Sequence, residues 1–342
     1  IDGDGDPDLF VGGLVRPGNY PFSPRSYVLL NEGGRFQDVT SDWSPTLAEP
    51  GMVRDAQWGD FNGDNRPDLL LVGEWMAPRL WLNQGSSLQE ATTPAGLAEF
   101  TGWWNRLELA DMDGDGDLDA VAGNLGLNSR YKATPAEPVC IYAADYDQNG
   151  RVDPILCYYI QGKNYPTHPR DQMIQQMLMV RKRYARYHEY GTRTFEELFT
   201  PEERSAATIF KASHMASSYL ENMGDGTFKV HSLPIEAQFS TAKALLLRDL
   251  NGDGHKDILL AGNTYATDTQ VGWYDAFNGL VLLGDGEGHF SPLPASQTGL
   301  KLDGAVRHLN WVEVGGAPLL IGTRNRGPLG LYRWSGEASL PN

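Results

Sequence analysis

Residues Asp111–Asp119 read DMDGDGDLD and run directly into the apolar stretch Ala120–Ala122. Carboxylates stand at positions 1, 3, 5, 7 and 9 of this nine-residue phrase, and glycines stand at positions 4 and 6. In a regular strand or helix these like charges would repel each other. A loop folded around Ca²⁺ turns the repulsion into coordination, because Ca²⁺ takes six to eight oxygen ligands at about 2.3–2.6 Å. The phrase therefore predicts a calcium loop, with side-chain ligands at positions 1, 3, 5 and 9 and a backbone carbonyl at 7.

The same phrase recurs along the chain. Complete copies lie at 60–68, 145–153 and 249–257, and the chain opens inside a further copy with Ile1 at position 2. Position 6 is glycine or asparagine in every copy, which suits the left-handed backbone of a tight turn. We predict four to five Ca²⁺ ions, and the strongest binding at 111–119, where all four side-chain ligands are carboxylates. The predicted ligand positions are Asp2, Asp4, Asp6, Asp8, Asp60, Asn62, Asp64, Arg66, Asp68, Asp111, Asp113, Asp115, Asp117, Asp119, Asp145, Asp147, Asn149, Arg151, Asp153, Asp249, Asn251, Asp253, His255 and Asp257.

Short apolar segments flank each loop, such as Val53–Trp58 before one and Leu69–Val72 after it. These segments predict buried strands, whereas an EF-hand would need helices on both sides of its loop. A second hairpin with a Gly-rich turn follows in most repeats, for example Ser218–Phe228. Two hairpins per repeat make the four-stranded blade of a β-propeller. The predicted fold is therefore all-β: a single propeller over 1–342 with about six blades, or seven if the helical insertion hides one.

Three irregularities interrupt the repeat. The interval between Asp111 and Asp145 is short, which leaves the third blade little room for an outer hairpin. Capping boxes at Thr194–Glu197 and Thr200–Glu203 predict helices, so we expect a helical insertion at 165–215 within the fourth blade. The stretch 308–322 keeps the hairpin but lacks the loop, which indicates a last blade without metal. Because the chain begins within a motif, we expect it to be a fragment of a longer protein, with other segments of the parent chain as partners.

Charge and composition argue against some classes of partner and location. The net charge of −16 argues against nucleic acid as a partner, since phosphates would be repelled. Much of this charge belongs to the loops, and five Ca²⁺ ions would offset ten of the negative charges. No apolar run approaches the roughly 18 residues of a membrane span. Cys140 and Cys157 flank one loop and are expected to face each other across a hairpin, either as two small buried hydrophobes or as a disulfide.

The repeated phrase, followed by an apolar strand, resembles the FG-GAP and VCBS repeats of integrin α-subunits and of many secreted bacterial proteins. The stretches VGGLVRPGNYP, GNLGLNSRYKA, YYIQGKNYP and YDAFNGLVLLGDG further resemble the C-terminal part of large bacterial VCBS proteins that carry a cartilage-acidic-protein-like (ASPIC/UnbV) segment. The resemblance implies a propeller, calcium loops and an exported location, whether extracellular, periplasmic or on the outer surface. Gln148 departs from the pattern, because glycine is usual at that position.

The loops at the opposite ends of the strands are the expected ligand-binding face. Each starts at a recurring glycine and then diverges, as variable chemistry on a rigid scaffold would. Amide, guanidinium and aromatic groups on one face suit a protein or glycan ligand, although such side chains also cap loop backbone. Trp103 and Trp104 are instead expected to begin an inner strand and serve the core. The candidate ligand contacts are Arg16, Glu74, Trp75, Asn124, Asn128, Arg130, Tyr131, Tyr165, Arg170, Asn263, Tyr265, Arg324 and Asn325.

The sequence therefore favours a calcium-stabilised binding or protein-interaction module over an enzyme. No zinc-type histidine spacing, nucleophile elbow or reactive cysteine setting is present, so no catalytic residue is assigned. Two alternatives stay open. One is a carbohydrate-active lyase or hydrolase that uses carboxylates outside the loops, drawn from Glu74, Asp171, Asp268 and Asp275. The other is a purely structural domain of a larger secreted protein.

Overall fold

The computed structural model describes residues 1–333, and in this part of the chain the strands form six antiparallel sheets. The helices are short, with at most seven residues each. The predicted all-β architecture of antiparallel, mostly four-stranded sheets is confirmed. No helix of the described residues has the length and apolar character needed to cross a membrane.

The first two sheets follow each other directly in the sequence. The first contains β1 (Leu9–Val11), β2 (Tyr27–Asn31) and β3 (Phe36–Asp38), and it is followed by α1 (Thr40–Trp43) and a 3₁₀ turn at Pro45–Ala48. The second contains β4 (Met52–Gly59), β5 (Asp68–Met76), β6 (Arg79–Asn83) and β7 (Leu88–Glu90) in that order, while β8 (Gly102–Trp103) pairs with the far end of β5. The predicted calcium loop 60–68 thus joins the first two strands of the second sheet, and the predicted calcium loops are called ion loops below.

The third sheet is interrupted by an inserted sheet. Its first hairpin is β9 (Arg106–Ala110) and β10 (Asp119–Gly123), and its outer hairpin is β15 (Ser218–Asn222) and β16 (Phe228–Ser232). Between them the chain builds β11 (Val139–Ala144), β12 (Asp153–Ile160), β13 (Lys163–Pro166) and β14 (Thr208–Ala212), ordered β13-β12-β11-β14. The expectation that the third blade lacks room for an outer hairpin was wrong, because its outer strands come from the far side of the insertion.

The connection between β13 and β14 is helical. It contains α2 (Arg170–Gln176), α3 (Met179–Arg183), α4 (Tyr187–Gly191), α5 (Phe195–Leu198) and α6 (Pro201–Ser205). Both predicted capping boxes are confirmed: Thr194 accepts from the Glu197 backbone N–H, and Thr200 accepts from that of Glu203. The end of the predicted 165–215 insertion differs, since residues 208–212 form β14 and pair with β11.

The last two sheets complete the described chain. After a 3₁₀ turn at Ile235–Gln238, one sheet contains β17 (Ala242–Arg248), β18 (Asp257–Gly262), β19 (Leu280–Gly284) and β20 (Phe290–Leu293). After α7 (Ala295–Thr298), the other contains β21 (Val306–Val314), β22 (Ala317–Arg324) and β23 (Gly330–Arg333). The predicted loop-free hairpin at 308–322 is confirmed, since β21 and β22 pair through a two-glycine turn.

Inner strands of successive sheets lie side by side, as in a propeller. β4 packs beside β9, β9 beside β17, and β17 beside β21. The inserted sheet stands outside this series, and β14 packs against β5 and β8 instead. The sequence assigned the 145–153 loop to a fourth blade of the series. The structure places that loop in the inserted sheet, where it joins β11 and β12. The inner strand β9 packs directly against β17, so no further blade lies between them.

Apolar side chains between neighbouring sheets supply the cores. Leu70 and Leu80 of the second sheet pack with Leu107, Ala120 and Leu220 of the third, and all five are fully buried. Burial of each such leucine stabilises the fold by about 1.5–3 kcal/mol. A separate cluster fills the inserted sheet and its helices, so the insertion has its own core.

Candidate functional site

The ion loops wrap their backbone around the first carboxylate. In the 111–119 loop, Asp111 accepts from the N–H groups of Gly114 at 2.7 Å and Gly116 at 3.2 Å. Position 6 has the predicted left-handed backbone in every loop, with φ of 62° at Asn65 and 97° at Gly116. The residue types that the repeat allows at this position therefore follow from the backbone conformation.

The ninth carboxylate of each complete propeller loop is a buried hydrogen-bond hub. Asp119 accepts from the N–H of Met112 at 2.9 Å and from that of Asn222 at 2.8 Å. Asp68 and Asp257 accept in the same way from the start of their loop and from the third strand. Burial raises the pKa of Asp68 and of Asp119 to about 6, against the opposing effect of these N–H groups. A nearby cation would favour the ionised form of both carboxylates.

The recurring asparagine at the end of the third strand joins neighbouring sheets. The Asn222 side-chain amide donates to the backbone carbonyls of Phe61 at 3.1 Å and Leu118 at 3.2 Å, so it connects the loops of the second and third sheets. Asn83 connects the second loop to the first through the carbonyls of Pro67 and Ile1. The ion loops are thus part of the contact between adjacent blades.

The donor set of two loops fits a hard cation. Carboxylate oxygens of Asp111, Asp113 and Asp119 lie within 4.8 Å of one another, and the same holds for Asp145, Asp147 and Asp153. Asp147 Oδ1 is buried without a hydrogen-bond partner, although a lone buried carboxylate oxygen is costly. Oxygen-only ligands in flexible loops are the set that Ca²⁺ prefers. These residues would hold the ion, and its charge would offset the repulsion among them.

The 145–153 loop keeps the backbone of the other loops despite its unusual residue. Gln148 has φ of 59°, the conformation that glycine adopts at the same position of the other complete loops. A left-handed backbone costs a residue with a side chain roughly 1–2 kcal/mol. The departure at Gln148 therefore affects the stability of this loop and not its path.

A cavity of about 450 Å³ lies at the strand ends opposite the propeller loops. Glu74 and Trp75 are near the end of β5, whose first residue closes the loop 60–68, while Lys243 is near the start of β17, whose last residue precedes the loop 249–257. The volume is within the range of small-molecule and side-chain pockets. The residues that line it are Tyr20, Glu74, Trp75, Trp103, Asn105, Leu125, Ile141, Pro154, Leu156, His168, Gln176, Thr241, Lys243, Thr264 and Tyr274.

Two tryptophans form one wall of the cavity in an edge-to-face arrangement. The rings of Trp75 and Trp103 are 5.0 Å apart with an interplanar angle of 75°. Trp75 has φ of 59°, a strained backbone for a bulky residue, and its Nε1 donates to the Tyr20 hydroxyl at 2.7 Å. Strain of this kind persists where surrounding contacts over-determine the conformation, often at ligand sites.

The insertion forms a second wall of the same cavity. His168 and Gln176 line it, and Gln172 donates to Asp268 of the β18–β19 connection at 2.9 Å. Gln176 Nε2 also donates to the carbonyl of Pro154 at 3.3 Å. Pro154 follows the last carboxylate of the 145–153 loop and lines the cavity, so this one ion loop lies beside the candidate ligand site.

The charged groups of the cavity are unevenly paired. The Glu74 carboxylate accepts from the Arg54 guanidinium, with Nε at 3.0 Å. Lys243 has neither a hydrogen bond nor an ion pair among the described residues. Burial, and then the charges of Arg307 and Arg54, lower the pKa of Lys243 to about 8, while Glu74 acts in the opposite direction. Burial also lowers the pKa of His168.

The structure brings some of the predicted ligand contacts together. Glu74 and Trp75 line the main cavity, and Arg16 lies with both of them in an adjoining groove. Arg130 and Tyr131 line a second cavity of about 260 Å³, which shares Trp103, Leu156, His168 and Tyr274 with the first. Tyr165 lies in a separate groove on the inserted sheet.

The other predicted contacts lie elsewhere or serve the fold. The side chains of Asn124 and Asn263 are buried and donate to backbone carbonyls, so we leave them out of the proposed ligand surface. Asn128 and Arg170 also donate to backbone carbonyls. Arg324 donates to Asp303 and to the Tyr332 hydroxyl, and the backbone N–H of Asn325 donates to the carbonyl of Ala305. Tyr265 packs its ring against the exposed Trp273.

Several cavity residues were missed in the sequence. Trp103 was expected to begin an inner strand and serve the core, but β8 pairs with β5 and Trp103 lines the cavity. Asn105 lies outside the repeated phrases and carries no signal, while Tyr20 and Tyr274 lie in stretches that showed a family resemblance but no role in a cavity. Lys243 did carry one, because it is a single charge in the otherwise apolar stretch Ala242–Leu247.

Comparison with known families supports the repeat. Residues 1–71 and 60–122 match the FG-GAP-like repeat. Together these matches span the first three ion loops, including all of the loop 111–119. None of the curated proteins matches the chain. The FG-GAP-like matches support a β-propeller class of fold and, in general, a protein-interaction or binding module that is typically extracellular and non-catalytic.

Proposed function

We propose that the chain is a calcium-stabilised binding module of an exported protein, and that its ligand binds at the cavity opposite the propeller ion loops. The observation that carries this proposal is the cavity itself, where the strained Trp75, Trp103, Lys243 and the insertion converge. A partner protein or a glycan is the expected ligand. The expected assembly is a propeller of about six blades related to FG-GAP and VCBS repeats, with four to five Ca²⁺ ions.

Calcium has a structural role in this proposal. The ninth carboxylates tie each loop to the third strand, and the third-strand asparagines tie neighbouring loops together. Ions held in these loops would therefore stabilise the hairpins and the contacts between blades. Extracellular calcium modules work at about 10⁻⁴–10⁻³ M, which suits a calcium-rich compartment.

A binding screen with a site-specific readout tests the proposal. The calcium-loaded chain would be immobilised and probed with a peptide display library and a glycan array. The selected ligands would then be tested on Gln176→Ala, which removes a cavity-lining side chain from the insertion, and on the matched control Gln89→Ala at an exposed position of β7. We expect Gln176→Ala to weaken binding and Gln89→Ala to have no effect. Ligands that bind both variants equally and compete with one another would place binding elsewhere.

A further inference from the structure

Three inner strands carry a basic residue at a break in their register. Arg54 lies between Val53 and Asp55 of β4, and Lys243 lies between Ala242 and Ala244 of β17. Arg307 lies in the same kind of break in β21, between Val306 and His308. A bulge of this kind redirects one side chain out of the regular alternation of the strand. Since β4, β9, β17 and β21 lie side by side, these breaks concentrate positive charge on the strand ends away from the propeller loops.

The three basic residues are in different states of pairing. Arg54 is neutralised by Glu74, and Arg307 donates to the backbone carbonyls of Asn263 at 3.2 Å and Val306 at 3.0 Å. Lys243 lines the cavity, and the described residues provide no partner for its ammonium group. Lys243 is half-buried, so a ligand in the cavity that brings a negative charge could pair with its ammonium group.

Two further unpaired groups of the cavity can donate hydrogen bonds. Trp103 Nε1 and the Tyr274 hydroxyl are buried, have no hydrogen-bond partner and belong to side chains that line the cavity. The carboxylate of Glu74 is already engaged by Arg54. Both buried polar atoms of the lining that lack a partner can thus donate, which matches a ligand that presents acceptors and negative charge.

We infer that this cavity takes a carboxylate, carried by an acidic peptide side chain between apolar neighbours, with Lys243 as its charge partner. The inference rests on the binding role proposed above and names the ligand chemistry. Trp75, Trp103, Leu125 and Leu156 provide apolar and aromatic walls for the flanking side chains. A sugar ring fits less well, because its hydroxyls need acceptors as well as donors and because the two tryptophans meet edge to face.

Matched peptides test the inference. Capped tripeptides with Glu or Asp between two apolar residues would be titrated into the calcium-loaded chain, together with their Gln and Asn counterparts. Binding would be followed by tryptophan fluorescence, with galacturonate oligomers as the glycan comparison. A charge-assisted contact to Lys243 is expected to make the acidic peptides bind about tenfold or more tightly than the amide peptides.

Variants assign this preference to Lys243. Lys243→Met should remove the acidic preference, Lys243→Arg should retain most of it, and the control Lys229→Met at an exposed position of β16 should leave it unchanged. Melting temperatures with and without calcium would verify that each variant is folded. Equal binding of acidic and amide peptides, binding of galacturonate alone, or an acidic preference that survives Lys243→Met would each overturn the inference. Those results would leave the binding role of the face intact, which fails only if cavity variants bind every selected ligand normally.

Discussion

The Asp119 carboxylate accepts a hydrogen bond from the backbone N–H of Asn222 at 2.8 Å, although 103 residues separate the two in sequence. The entire inserted sheet and its helices lie between them. Asp119 therefore closes the third sheet across the insertion while its other oxygen holds the start of its own ion loop. A residue predicted from sequence as an ion ligand also joins the loop to a distant strand.

Replacing Asp119 by Ala should be strongly destabilising even without calcium. The substitution leaves the buried N–H groups of Met112 and Asn222 without acceptors, and each unpaired group costs about 1–3 kcal/mol. Urea unfolding in the presence of chelator measures this loss. Asp117→Ala is the matched control, because position 7 offers its backbone carbonyl in the proposed site. Equal stability of the two variants in chelator would show that the hub is unimportant.

Removal of calcium should lower the melting temperature of the whole chain. Clustered carboxylates such as Asp111, Asp113 and Asp119 would then repel one another without a compensating charge. Differential scanning calorimetry with excess Ca²⁺ and with chelator provides the comparison, and Mg²⁺ serves as a control for ionic strength. An unchanged melting temperature after complete removal of calcium would contradict the proposed ion loops.

Gln148→Gly should stabilise the 145–153 loop by about 1 kcal/mol. The native φ of 59° is strained for glutamine and free of strain for glycine, so the relief exceeds the entropy that glycine adds to the unfolded chain. Hydrogen exchange of the loop amides reports this local effect. Gln89→Gly in β7 should have the opposite sign, because glycine weakens a regular strand.

Gly262→Ala should disturb both the fold and the cavity. A Cβ atom there would lie 1.7 Å from the Thr241 carbonyl oxygen, beside the register break that contains Lys243. Relief of this clash requires a shift of the backbone at Thr241, which would disturb the neighbouring strand. We therefore expect a lower melting temperature and altered tryptophan fluorescence. The control Gly191→Ala in α4 meets no atom within 4 Å and should be tolerated. Normal melting of Gly262→Ala would mean that the inner strand can shift.

Lys243→Met should raise stability at neutral pH, by about 1–3 kcal/mol. The folded-state pKa of about 8 is below the ordinary value of 10.5, so the native chain disfavours the lysine charge. Below pH 8 both folded and unfolded chains are protonated and the full penalty applies. Between pH 8 and 10.5 only the unfolded chain keeps the proton, so the wild type gains stability as pH rises.

The advantage of the Met variant should therefore shrink over this window. The charged groups that shift the pKa of Lys243 are Arg54, Arg307 and Glu74. The cavity is also lined by two other titratable groups, Tyr20 and His168. Burial keeps the pKa of Tyr20 above this window and lowers that of His168 below its usual value, so neither changes charge there. Urea unfolding at pH 7, 9 and 10.5 measures the difference between the two proteins. A constant difference across these pH values would exclude Lys243 as its source.

Much of the fold follows from local sequence. The ion phrases, the left-handed residue at position 6, the apolar strands and the two capping boxes are all determined within nine or fewer residues, because turn geometry and capping are local. The pairing of Cys140 with Cys157 follows for the same reason, since a hairpin loop lies between them, and the structure shows both as free buried thiols. The recurring glycine was visible in the sequence as well. Its cause was not, since the atoms that exclude a side chain at Gly73 and Gly262 belong to Met52, which begins β4, and to Thr241, which precedes β17.

Only the tertiary structure decided which segments share a sheet and a cavity. β10 pairs with β15 across the insertion because burial of Ala120 and Leu220 in one core outweighs the entropy of a long loop, which grows only logarithmically with length. In the same packing, the 145–153 loop lies outside the series of blades. The side chains of Trp75, Trp103, His168 and Lys243 line one cavity. Repeat spacing carries no information about such distant partners. The local sequence determined the path of the Asp-rich loops, and the packing of the sheets determined which residues line the cavity.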